Sequence, residues 1–123
     1  FKNKQELINP LIRDNSAKNM SEIEITPEYV SYLLNEIGAW KLHKNPLTFE
    51  KPIINLNISG KKFYSEIDKT IKTSEGSNNE ADIEFQTTKE EIIRAISNNS
   101  PEESFKESIQ DGITKINLLA GET

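Results

Sequence analysis

Apolar positions along the chain follow two different periods, and the changes of period mark the elements. Thr26-Pro27-Glu28 is a helix start, with a hydroxyl at the N-cap, proline at the first helical position and an acid at the positive dipole end. Val30, Leu33, Leu34 and Ile37 then recur at helical spacing, and Gly38 is placed to end the helix in the left-handed conformation. The stretch from Trp40 to Pro52 holds no sustained period and reads as a loop, whose apolar members Trp40, Leu42, Leu47 and Phe49 suggest that it packs onto something.

From residue 53 the period is two. Ile54, Leu56 and Ile58 alternate with Asn55 and Asn57, Ser59-Gly60 is a turn signal, and Phe63, Ser65 and Ile67 alternate with Tyr64 and Glu66. This predicts a hairpin with one wet face. Asp68-Lys69-Thr70 turns the chain into Ile71-Lys72-Thr73, and Ile83, Phe85 and Thr87 make a fourth alternating strand after a polar loop. Two helices follow, each opened by a hydroxyl and a glutamate at capping-box spacing, Thr88 with Glu91 and Ser100 with Glu103. The first offers Ile92, Ile93 and Ile96 to a core, the second only Phe105 and Ile109. Asp111-Gly112 leads to a last strand with Ile116, Leu118 and Ala120 on one side.

Helix, four strands, two helices and strand, each with one apolar side, predict a two-layer α+β domain over residues 21–123. Ahead of it, residues 1–20 read as an arm. Leu7, Ile8, Leu11 and Ile12 could share a helical face there, but Pro10 would interrupt its ladder.

Composition narrows the chemistry. The chain has 123 residues, enough for one domain, and a formal charge of −5 that works against binding a phosphate backbone, so no nucleic-acid partner is expected. No cysteine and a single histidine leave no thiolate site, disulfide or multi-histidine metal centre, and no cofactor is expected. No apolar run is long enough to span a membrane and no charged-then-apolar leader pattern is seen in the sequence, so the expected location is cytoplasmic. The Asn57 and Asn98 glycosylation patterns then read as chance matches.

Candidate catalytic groups have blander explanations. His43 lies between lysines in a loop, without an orienting carboxylate nearby in sequence. Glu90, Glu91, Glu102 and Glu103 occupy first helical turns, where capping and the helix dipole account for them. Asp82 and Glu84 alternate on a strand and read as a solvated face, and no glycine-rich phosphate loop is present. No enzyme is expected.

The order of elements and several local strings resemble the sterol carrier protein 2-like family over roughly residues 22 to 121. The strings are the hairpin from Ile53 to Tyr64 around Ser59-Gly60, the strand start Ala81-Asp82-Ile83-Glu84-Phe85, and the helix start Ser100-Pro101-Glu102-Glu103-Ser104-Phe105. Two departures stand beside it. Asn98-Asn99 replaces the glycine usual before the second capped helix, and the family's C-terminal helix, which helps close its cavity, has no counterpart before Thr123.

The resemblance implies a five-stranded, mostly antiparallel sheet with helices over one face and an apolar cavity between the layers. It implies non-catalytic binding of a fatty acyl chain or other lipid, hence a role in lipid transport. The residues expected to line such a cavity are Leu33, Ile37, Trp40, Ile54, Leu56, Ile58, Phe85, Ile96, Phe105 and Ile109. The alternative is an interaction domain with a filled core that binds a protein partner or forms a homodimer. The apolar surface beside Leu118 and Leu119 is expected to be covered by self-association or by the N-terminal arm.

Overall fold

The computed structural model describes residues 4–14, 20–42, 47 and 50–119. His43, Phe49 and Ala120 lie outside the described residues, as does the polar stretch 15–19. The elements are α1 (Pro10–Asp14), α2 (Pro27–Glu36), β1 (Ile53–Ile58), β2 (Lys61–Ile67), β3 (Ile71–Glu75), β4 (Ile83–Thr87), α3 (Lys89–Ser97), α4 (Pro101–Gln110) and β5 (Lys115–Leu118). Single 3-10 turns cover Met20–Glu22 and Ala39–Lys41.

The five strands form one sheet in the order β3-β2-β1-β4-β5. Three pairings are antiparallel and the central one, β1 with β4, is parallel. Antiparallel neighbours need only tight turns. Ser59-Gly60 supplies the first with both residues at positive φ, 53° and 91°, the geometry that matches strand twist. The parallel pair needs a longer return, which runs through β2, β3 and the loop after Gly76.

Directly paired strand residues point to the same side of a sheet. Ile54, Leu56 and Ile58 of β1 and Phe85 of β4 therefore share a face, and all are buried. The helices lie on that face. Val30, Leu33 and Leu34 of α2 and Ile92, Ile93 and Ile96 of α3 join the same apolar cluster. Phe105 of α4 meets Phe85 edge to face, with ring centroids 5.5 Å apart. The fold is thus the two-layer α+β arrangement that the alternating periods predict.

Four local features differ from the sequence expectation. Pro10 opens α1 rather than breaking a helix, because a first helical residue needs no amide donor. Ser100 makes no side-chain cap bond, whereas the Thr88 hydroxyl accepts from the Glu91 amide at 3.2 Å. Asn55, expected on the wet face, is buried because its amide pairs with both backbone groups of Asn78, at 2.9 and 3.0 Å. Finally, β5 buries nothing, and all four of its residues are exposed.

Candidate functional site

All ten residues expected to line a cavity meet in one apolar cluster. Leu33, Ile54, Leu56, Ile58, Phe85, Ile96 and Phe105 belong to its buried part, and Ile37, Trp40 and Ile109 pack against it partly buried. The contributions come from α2, the 3-10 turn after it, β1, β4, α3 and α4. Leu33, Leu56 and Ile58 are no more than 2% exposed, so the centre of the cluster is close-packed core.

The cluster opens toward the outer edge of the sheet. Register places Ile116 of β5 beside Phe85, and Leu118 beside Ile83. Both β5 side chains thus stand on the helix-facing side, continuing the rows that begin at Leu56 and Ile54. Exposure climbs along these rows, from 1% at Leu56 through 8% at Phe85 to 43% at Ile116, and reaches 71% at Leu118. Period-two spacing identifies which side of β5 is apolar. It carries no information on how far across the sheet the helices reach, which is why the exposure was not legible in sequence.

The described residues of the N-terminal arm do not cover this edge. Leu11 is buried in the core, the Asn9 amide donates to the Ile96 carbonyl at 2.7 Å, and the Gln5 side chain accepts from the Ile71 amide at 3.4 Å. Asn35 of α2, fully buried, pairs with both backbone groups of Gln5 at 2.8 and 3.0 Å. The Gln5 contacts reach α2 and the start of β3, which is the edge strand opposite β5. Leu7, Ile8 and Ile12 remain exposed.

Polar groups around the cluster pair with one another. Thr87 and Thr114 share a buried hydroxyl contact at 2.8 Å, which Ser108 extends. Ser31, Thr73 and Ser65 form a second chain, with both contacts at 2.7 Å. The Glu84 carboxylate accepts from Gln86 at 3.1 Å. Glu91 pairs with Arg94 at 2.9 Å, one turn along its own helix. Among the described residues no group of acids, histidines or cysteines is placed to hold a metal ion. None of the described helices is long and apolar enough to cross a membrane.

No protein-family model matches the sequence, and no curated protein matches it. Among solved structures, the fold is similar to the solution NMR structure of palmitated SCP2L2 from Aedes aegypti. That likeness is at 13% sequence identity over 72% of this chain and 78% of that one, with a TM-score of 0.48. A second similar structure is the ubiquinone synthesis protein UbiJ-SCP2, at 10% identity over 72% and 77% of the two chains and a TM-score of 0.46. Both of these proteins carry SCP2 in their names.

Proposed function

We propose that this domain is a non-catalytic binder of an apolar ligand, a fatty acyl chain or similar lipid, held where the sheet and the helix layer part at the β4–β5 edge. The observation that carries the reading is the pair of apolar rows running out of the core to Ile116 and Leu118. Two large aliphatic side chains that adjoin the core and face water form the kind of patch that marks a binding surface. An acyl chain lying along Ile83, Ile116 and Leu118, beside Phe85, would extend the core rather than displace it. Trp40, partly buried against the cluster, would report its arrival.

Burying about eight methylenes at roughly 0.8 kcal/mol each gives about 6 kcal/mol, hence a dissociation constant of tens of micromolar. The test is calorimetric titration with single-chain alcohols of increasing length, followed in parallel by Trp40 emission. Affinity should rise with chain length in the wild type and fall in Leu118→Ser. Absence of saturable heat at every length overturns the reading.

One observation favours a second reading. β5 is an edge strand, and an exposed apolar edge can accept a strand from another chain. Concentration-dependent sedimentation that Leu118→Ser abolishes, without any lipid heat, would select this interaction role.

A further inference from the structure

A cleft adjoins the same edge at the N-terminal ends of the parallel strands β1 and β4. Leu42, Pro52, Ile53, Ile54, Asp82 and Ile83 enclose about 250 Å³ there, and the lining is apolar except for Asp82. The backbone of Asp82 is fixed on both sides, donating to the Ile53 carbonyl at 3.0 Å and accepting from the Leu119 amide at 2.9 Å. Its carboxylate accepts one long bond, 3.4 Å, from the Ile53 amide and has no ion-pair partner among the described residues.

Among the described residues, two lysines close by in sequence are directed elsewhere. Lys51 pairs with Asp68 at 3.4 Å, and the Lys41 ammonium sits 5.5 Å from the centre of the Trp40 ring. A carboxylate standing at an apolar cleft repels a fatty-acid or phosphate head and attracts a cation. We infer that the cleft takes a single-chain amphiphile with a cationic ammonium head, its tail against Leu42, Ile54 and Ile83 and its head beside Asp82. The inference rests on the apolar-ligand reading above, with which it shares Ile83, and adds the charge of the head group.

The experiment compares decyltrimethylammonium, decanol and decanoate by calorimetry at low and high salt, on the wild type and on Asp82→Asn. The amide keeps the size and shape of this exposed side chain, and circular dichroism before and after titration confirms that both proteins stay folded. In the wild type at low salt, the ammonium head should bind about five-fold tighter than decanol. Decanoate should bind weakest, and salt should narrow the differences. In Asp82→Asn, the ammonium and the alcohol should bind alike.

Equal binding of decanoate and the ammonium to the wild type overturns the inference. So does a preference that survives in Asp82→Asn, since the net charge of −5 would then be its source. Either result leaves the apolar site standing if decanol binds. Failure of all three chains removes both readings.

Discussion

Ser59 holds a φ of 53°, a region that L side chains rarely adopt, because the hairpin turn needs positive φ at both of its central residues. Its hydroxyl accepts from the Lys89 amide at 2.9 Å, so the turn also satisfies a free donor at the start of α3. Ser59→Ala keeps the strained backbone and loses the bond, and should cost about 1 kcal/mol in urea melts. Ser59→Gly relieves the strain while losing the same bond, so its melt should lie nearer the wild type.

The helix starts are decided at the same scale. Thr88 and Ser100 precede their glutamates at the same spacing, yet only the Thr88 hydroxyl meets an amide. Asn98 explains the difference, because its side chain accepts from the Ser100 amide at 3.0 Å and sets the approach to α4. Thr88→Ala should therefore cost about 1 kcal/mol, and Ser100→Ala no more than a few tenths. Equal losses in paired urea melts would refute this ranking.

Among the elements, α1 was partly legible. Of Leu7, Ile8, Leu11 and Ile12, which are visible in sequence, only Leu11 reaches the core. What holds the arm is polar. Asn35, fully buried, pairs with Gln5, and the Tyr29 hydroxyl donates to Asp14 at 2.6 Å. Neither Asn35 nor Tyr29 stands out by hydropathy, since each belongs to a helix whose apolar stripe is complete without it. Burial, then the bond to Asp14, pushes the Tyr29 phenol well above its ordinary value of 10.0.

A raised phenol gives a definite sign. Below about pH 10 both folded and unfolded states keep the proton and stability is unaffected. Above it, the unfolded state releases the proton first, so stability falls until the folded phenol also ionises. Tyr32 is raised in the same direction, by burial and then by Glu36. The wild type should lose stability as pH rises beyond about 10, and Tyr29→Phe should flatten part of that loss in urea melts at successive pH values. An unchanged slope in Tyr29→Phe would show that this phenol does not couple to folding.

α4 teaches a related lesson about helices with few apolar residues. Besides Phe105 it buries Ser104 and Ser108, and Ser108 contacts Thr114. Small hydroxyl residues let this helix approach the chain leading to β5, and a count of apolar residues does not register that approach.

For the whole molecule, close-packed centre and open edge make opposite demands on substitution. Leu56 is 1% exposed under the helices, so Leu56→Phe has no space to enter and should cost about 1–3 kcal/mol. Leu118, 71% exposed, should accept serine with less than about 0.5 kcal/mol change. Thermal and urea melts of the two variants check the contrast. Equal tolerance at both positions would mean that the centre has room for a ligand and that the edge is not the binding surface.

The alternating periods by themselves determined the five strands, α2, α3 and α4, their order, the two-layer class and the apolar side of each strand. These follow from local geometry, because side chains repeat every two residues in a strand and every 3.6 in a helix. The ten apolar positions singled out in sequence share one cluster for that reason. Tertiary structure decided which of them are core and which lie at its margin. It placed Asn35 and Gln5 together across 30 residues, set β1 parallel to β4, and left Ile116 and Leu118 uncovered beyond the helices. Those outcomes depend on how far one layer reaches over another, and on polar pairings between segments distant in sequence, neither of which leaves a period in the chain.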